Sequence, residues 1–185
     1  NSFGPTAIAG YSAGMRIESL SIVPMLAMGN AMSTFTAQNM GAGKIDRVKE
    51  GYRMCYVIVL TAGAVLCVMY QLAGGAFVSL FLDSGSSEAY SVGLSYVKFL
   101  SFFYSFIGLK ASTDGLLRGA GDVTAFTVAN LVNLAIRVSV TNLFAPIYGI
   151  QVAWMAVPLG WAANYVISFG WYLTGKWKKV RVIKK

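Results

Sequence analysis

The chain has 185 residues, of which 56% are hydrophobic and 12% charged, and it carries a formal net charge of +8. No soluble domain of this length hides so much apolar surface inside one core, so the composition excludes a water-soluble globular protein. The excess charge does not form a nucleic-acid platform either: six of the fifteen Lys and Arg residues fall in the last ten positions and four more between Lys44 and Arg53, the clustering that cytoplasmic loops retain under the positive-inside rule.

Charge is nearly absent from residues 19–43, 54–82, 123–136 and 138–175. A helix needs about 20 mostly apolar residues to cross the hydrocarbon, and these runs lack the apolar–polar alternation of barrel strands. The predicted fold class is therefore all-α, a polytopic membrane helix bundle. A first helix is predicted over about 7–39, entered through Gly4-Pro5-Thr6 and ended by Gly41-Ala42-Gly43, where glycine suits the left-handed cap. A second covers about 53–82, followed by a polar turn at Asp83-Ser84-Gly85-Ser86-Ser87. The third, about 89–117, carries Lys98, Lys110 and Asp114. A loop at Arg118-Gly119-Ala120-Gly121-Asp122 leads to a fourth over about 123–144, and Pro146 to Gly149 lead to a fifth over about 150–174. Residues 1–175 thus form the transmembrane part and 176–185 a basic tail.

If the cluster from Lys44 to Arg53 is cytoplasmic, alternation puts Arg118 and the tail inside too, and Asp83 and Glu88 outside. Five crossings with an external amino terminus satisfy the charge rule. The expected location is the cell (inner) membrane, multi-pass, with a cytoplasmic carboxy-terminal tail anchored by Tyr172 and Trp177. Met40-Gly41-Ala42-Gly43 echoes Arg118-Gly119-Ala120-Gly121, as in the internal repeats of transporters. Asn1 begins without a basic n-region or cleavage pattern, and the chain reads as a piece of a longer protein.

Charged groups at membrane depth are costly and are functional candidates by default. Lys110, Asp114 and Arg118 are spaced i, i+4, i+8 and share one helix face. The plain reading is an inner-leaflet clasp with Arg118 snorkelling to the surface; the functional one is a coupling-ion site at Asp114. Thr127, Asn130, Asn133, Arg137 and Thr141 form a polar stripe on the fourth helix, which either lines a cavity or joins helices. Arg137 lies about 22 Å beyond Asp122, in the outer half of the bilayer, where Glu18 is its best partner; direct substrate contact is the competing role. Pro24 and Pro158 interrupt helix hydrogen bonding and are hinge candidates. Gly29, Ser33 and Ala37 form a small-residue packing face, and Phe99, Phe102, Phe103, Tyr104 and Phe106 either meet lipid or line a drug pocket. Gly41-Ala42-Gly43-Lys44 lacks the spacer and the Ser or Thr of a phosphate loop. Cys55 and Cys67 lie on one predicted helix about 18 Å apart, too far to bridge, and without His a Cys/His metal site is excluded.

Four segments together resemble a known family: Ala7-Ile8-Ala9-Gly10-Tyr11 followed by Arg16-Ile17-Glu18; Gln38-Asn39-Met40-Gly41-Ala42-Gly43-Lys44; Leu117-Arg118-Gly119-Ala120-Gly121-Asp122; and Arg137 fifteen residues further on. Their order and spacing resemble the MATE family of multidrug and toxic-compound extrusion transporters, specifically helices eight to twelve of a twelve-helix, two-lobe protein. The resemblance implies a secondary antiporter that exports cationic or amphiphilic compounds in exchange for H+ or Na+ by alternating access. It also implies partners: small-molecule substrates, membrane lipids, and the amino-terminal lobe with helix seven, of which only the segment around Asn1 to Phe3 is expected here. Some sodium-coupled members carry an acid one to three turns before the Arg-Gly motif, whereas Asp114 is one turn before it and Ile107 and Ala111 occupy the other registers.

The candidate substrate or coupling-ion residues are thus Asn130, Asn133, Arg137, Lys110, Asp114 and Glu18, and the structural or hinge candidates are Pro24, Gly41, Gly43, Arg118, Gly119 and Gly121. No cofactor, no resident metal and no nucleic-acid partner are expected. A lipid-linked oligosaccharide flippase of the same superfamily is an alternative, with Lys110 and Arg137 as pyrophosphate ligands; a non-transporting scaffold subunit is another. An enzyme is least favoured, because no nucleophile with a paired base appears.

Overall fold

The computed structural model describes residues 4–82, 87–149 and 151–179. The segment assigned to helix seven (1–3), most of the polar turn (83–86) and the end of the basic tail (180–185) lie outside the described residues, as do Ile150 and the side chain of Ser87. Among the described residues every regular element is helical: α1 (Pro5–Gly41), α2 (Ile45–Val78), α3 (Ser87–Ser101), α4 (Tyr104–Gly119), α5 (Val123–Tyr148), α6 (Gln151–Leu173) and a 3-10 turn at Lys176–Lys179. Four of these, α1, α2, α5 and α6, are long and apolar enough to cross a membrane, and α3 with α4 pass the same test as a bent pair.

Helix α1 is 37 residues long, about 55 Å, far more than the hydrocarbon requires. Pro5 opens it, where a missing N–H costs nothing, and Pro24 is carried inside it. Helix α2 starts at Ile45, not near residue 53 as predicted, so most of the basic cluster is helix. Asp46 in the first turn suits the positive end of the helix dipole and pairs with Lys49 at 2.6 Å, while Val48 and Tyr52 are buried on the inner face. Similarly, α5 runs through Pro146 to Tyr148.

The glycine echo is conformational as well as sequential. After α1, the N–H of Gly43 bonds the Met40 carbonyl and that of Lys44 the Asn39 carbonyl; after α4, Gly121 bonds Arg118 and Asp122 bonds Leu117 in the same pattern. Both are Schellman caps, which need a left-handed residue at the turn, and Gly43 and Gly121 supply it with φ of 71° and 83°. The next helix begins at once in each case, and Asp122 caps α5 by accepting from the Ala125 N–H.

The span predicted as one helix over about 89–117 is two, α3 and α4, bent by 52°. No proline or glycine stands at the break. Instead the Ser101 hydroxyl donates back to the Lys98 carbonyl at 2.7 Å, an arrangement that bends helices. Gln71 of α2 donates to the same carbonyl at 2.8 Å and to the Ser101 hydroxyl at 2.9 Å. A side chain from a neighbouring helix thus satisfies backbone that the bend loosens, which is how a break is tolerated at membrane depth.

Below the bend, α4 lies against α1 at backbone distance. A methyl built on Gly29 would stand 2.6 Å from the Ala111 carbonyl oxygen, and methyls on Gly115 and Gly119 would strike the carbonyls of Gly29 and Ser33. Small residues spaced by four on both helices permit this approach, and α4 is consequently buried along almost its whole length. Helix α5 is the opposite case: it packs on α6 and buries only Ala125, Ala129 and Ala145.

Gly115→Leu should therefore be severely destabilising, since its obstacle is the main chain of α1, which cannot give way; overpacking costs about 1–3 kcal/mol and sometimes more. Gly170→Ala, where nothing lies within 4 Å, should leave stability unchanged or slightly raised. Thermal unfolding in detergent compares the two, and equal midpoints would show that the α1–α4 approach does not hold the bundle.

Candidate functional site

The bent helix places a carboxylate inside the bundle. Asp114 is 4% exposed and Lys110, one turn earlier, 9%. The Lys110 Nζ lies 2.9 Å from Asp114 Oδ2 and donates to Asn130 Oδ1 of α5 at 3.1 Å. Asn130 returns its own amide to Asp114 Oδ2 at 3.2 Å and to the Phe126 carbonyl at 2.8 Å. On the other side, Ser168 of α6 donates to Asp114 Oδ1 at 2.6 Å and lies 3.4 Å from Asn164 Oδ1. Three helices therefore converge on one carboxylate, and each of its oxygens has a partner, as a buried charge requires.

Arg118 is not part of this cluster, which corrects the expectation of an acid clasped between two cations. It is exposed, donates to Asn30 Oδ1 at 2.7 Å and Ser33 Oγ at 3.4 Å on α1, and lies 5.6 Å from the Phe126 ring centre. The reason is the close α1–α4 contact, which brings acceptors on α1 nearer to the guanidinium than the buried acid. Between the two layers is a cleft of about 300 Å³ lined by Asn30, Lys110, Asp114, Arg118, Phe126 and Asn130, among others.

Behind α4, Thr113 meets α2. Its hydroxyl donates to the Leu109 carbonyl at 2.8 Å and sits 2.7 Å and 2.8 Å from the hydroxyls of Tyr52 and Tyr56, which are also bonded to each other. Tyr52 packs 4.6 Å from the ring of Tyr172, which stacks on fully buried Trp177 at 5.6 Å. The basic start of α2 and the basic end of α6 therefore lie at the same end of the bundle.

The expected Glu18–Arg137 bridge is not formed: among the described residues the ion pairs are Lys49–Asp46 and Lys110–Asp114. The Tyr96 hydroxyl of α3 donates to the Glu18 carboxylate instead, reaching it because Gly14 leaves room for the Tyr96 ring. Arg137 is turned toward α6, where a methyl on Gly160 would stand 2.9 Å from its Cγ. It lines a second cleft of about 430 Å³ with Tyr11, Thr141 and Asn142 among others. Asn133 faces the same glycine, and its Oδ1 is buried without a hydrogen-bond partner. The polar stripe on α5 is thus divided, Asn130 serving the Asp114 cluster and Asn133 with Arg137 the α6 contact. The aromatic run divides too: Phe99, Phe103 and Phe106 line an apolar groove of about 250 Å³ with Pro158 and Met155, Tyr104 is buried and Phe102 exposed. Pro24 faces outward on α1, and Gly41 has open space around it, whereas Gly119 lies against α1.

Sequence reasoning missed Ser168 and Asn164, Asn30, and Tyr96. The first pair had a signal: polar residues four apart inside an apolar span commonly join helices. Asn30 and Tyr96 had none, since their roles depend on which neighbour their helix faces.

Comparison with known proteins agrees with the fold. The family model described as MatE matches residues 1–156. The probable multidrug resistance protein YpnP of Bacillus subtilis is 28% identical over 183 residues, which is 98% of this chain and 41% of that protein. The probable multidrug resistance protein YoeA of the same organism is 24% identical over 187 residues, covering 100% of this chain and 40% of its own. A solved inward-facing multidrug resistance MATE family transporter of the MOP superfamily superposes with a TM-score of 0.82 at 18% identity, over 91% of this chain and 38% of that structure. The chain spans about two fifths of the length of the curated relatives it matches. With its all-helical, multi-pass architecture and its sequence match over residues 1–156, this chain belongs to the MatE family.

Proposed function

We propose that the chain works as part of a secondary antiporter that exports cationic or amphiphilic compounds in exchange for H+ or Na+, with Asp114 as the carboxylate on which the coupling cation acts. The observation that supports this reading is the buried Asp114 cluster opening onto the cleft between α1, α4 and α5. A purely structural ion pair gains nothing from an adjoining cleft, and intramembrane acids of this kind mark ion pathways. Alternating access then requires this bundle to rock against a second one, with substrate and cation preferring different states of the pair.

The flippase alternative needs Lys110 and Arg137 to share a pyrophosphate, yet the two line separate clefts and Lys110 is already committed to Asp114. The clustering of basic residues at one end of the bundle supports a cytoplasmic placement of that end in the inner membrane. Cysteines replacing Lys49 and Lys179 should react with impermeant reagent from the cytoplasmic side only, and one replacing Glu88 from the outside only; labelling of positions 88 and 179 from the same side would exclude the five-crossing arrangement.

The functional test is export by the full-length protein in proteoliposomes, with Na+ and pH gradients imposed in turn and cationic dyes and lipid-linked sugars as cargoes. Dye export should follow one of the gradients, and Asp114→Asn should lower it at least about tenfold at normal expression. Gradient-independent movement of lipid-linked sugars, or an Asp114→Asn variant with unaltered coupling, would overturn the reading.

The same ion pair makes a stability prediction. Asp114→Ala strands an ammonium that is mostly buried, a loss of about 3–5 kcal/mol for breaking such a pair. Adding Lys110→Met should recover much of it, because removing both charges leaves none uncompensated. A double-mutant cycle on thermal unfolding in detergent measures the coupling; additive losses would mean that the pair does not act as a unit.

A further inference from the structure

We propose that Arg47 and Arg53 at the start of α2 and Lys176, Lys178 and Lys179 in the turn after α6 form one binding site for the phosphate of an anionic phospholipid, with Trp177 as the anchor that holds the two segments together. The inference concerns a lipid partner and does not depend on the transporter reading.

The two segments meet through aromatic rings. Gly175 turns the chain back after α6 with a φ of 68°, and the Lys178 N–H closes the turn on the Gly175 carbonyl at 3.2 Å. Trp177 is thereby carried inward. It is fully buried, its indole N–H donates to the Tyr172 carbonyl at 3.1 Å, and its ring stacks on Tyr172, which packs against Tyr52 of α2. Docking the indole fixes the three lysines around it, and all three remain exposed. The Lys176 ammonium lies 4.8 Å from the Trp171 ring centre and that of Lys178 5.7 Å from the Trp177 ring centre, so ring faces hold amines that would otherwise be mobile.

The fields of the two segments overlap. Asp46, paired with Lys49 at 2.6 Å, also lies in the field of Lys178, and the Tyr172 hydroxyl lies in those of Arg53 and Lys49. Arg47, Arg53 and the three tail lysines form no ion pair among the described residues. Crowding like charges is unfavourable, and an anion shared between them offsets that cost. Guanidinium binds phosphate oxygens as a fork and ammonium as a point charge, so one phosphate suits both segments.

Depth selects the source of the anion. On α2 the exposed residues change from Arg47 and Arg53 to Met54, Val57 and Ile58, and on α6 exposed Leu173 comes just before the basic turn. Val57 lies one turn beyond Arg53 on the same helix face. The Tyr52–Tyr172 contact at 4.6 Å puts the two changes at one level. A basic layer bordering an apolar one, with Trp and Tyr at the border, is the profile of the boundary between headgroups and hydrocarbon. The cations therefore stand at phosphate depth, where anionic lipids attract them, and the acyl chains lie along Met54, Val57 and Leu173. A free phosphate offers the charge but nothing to place against those side chains.

The test titrates the purified full-length protein in detergent with short-chain phosphatidylglycerol, read by thermal unfolding. Phosphatidylcholine of the same chain length and inorganic phosphate are the comparison probes. Phosphatidylglycerol should raise the unfolding midpoint saturably, and neither comparison probe should do so over the same concentrations. Lys176→Gln, Lys178→Gln and Lys179→Gln combined should raise the half-maximal phosphatidylglycerol concentration at least about tenfold, and so should Arg47→Gln with Arg53→Gln. Arg16→Gln, which removes an exposed cation near the far end of α1, should leave it unchanged. Trp177→Ala keeps every charge and should weaken binding several-fold, whereas Trp177→Phe, which keeps the stacking, should stay near wild type. The glutamine variants alter only exposed side chains, so they decide the matter even where Trp177→Ala does not fold. An equal response to phosphatidylcholine or to inorganic phosphate, or wild-type affinity in the triple-lysine variant, would overturn the proposal. Equal losses in Arg16→Gln and the triple-lysine variant would do so too, since they would mean attraction by net charge and not by a site.

Discussion

A single carboxylate in a low-dielectric interior sets the terms for this bundle. Asp114 sits at 4% exposure, and an ionised group there is tolerable only with a counter-charge and hydrogen bonds to both oxygens. Lys110 on its own helix, Asn130 on α5 and Ser168 on α6 meet that demand. Three helices are thereby held in one register. Apolar packing has little to distinguish one helix face from another in lipid, where the surroundings are as apolar as the interface; a polar junction does, because a rotated helix would leave charge unmatched.

Such a junction requires that α4 be enclosed, and the enclosure comes from the main chain. Glycines at 29, 115 and 119 let α1 and α4 approach until side chains would collide with carbonyl oxygens. The 52° bend between α3 and α4 serves the same end, since it turns α4 inward from the line of α3 and is stabilised by Gln71 reaching across from α2. On the far side, Tyr52 and Tyr56 close over Thr113. On its other side α5 packs along α6 and is tied to α4 by Asn130, while most of its own side chains stay accessible.

The end of the bundle that carries Glu18 and Arg137 solves its charge problem differently. Glu18 is matched by a neutral phenol, Tyr96, inside an aromatic cluster with Tyr11 and Trp154 at 5.2 Å and 5.5 Å. Arg137 meanwhile lies along α6 and faces a cleft. One end of the bundle thus holds a closed ion pair beside a small cleft, and the other holds a protected acid and a cation without an ion pair.

Much of this was legible in the residues alone, for physical reasons that act along the chain. The helical spans follow from the length of uncharged runs, because water-free surroundings leave the backbone no other way to satisfy itself. The turns at Gly43 and Gly121 follow from glycine's access to positive φ, and the pairing of Lys110 with Asp114 from their spacing of four. What the residues could not decide was which helix each polar face meets. Glu18 and Arg137 looked like natural partners by depth, yet Gly14 admits Tyr96 to the acid and Gly160 draws the arginine stem to α6. The bend at Ser101 left no proline or glycine to reveal it, because the side chain that supports it comes from another helix. Ser168 and Asn30 acquire their roles only when α6 and α1 are set beside α4. Local bonding and hydropathy are written in the chain; the azimuth of each helix about its own axis is decided by packing, and on that azimuth the composition of the site depends.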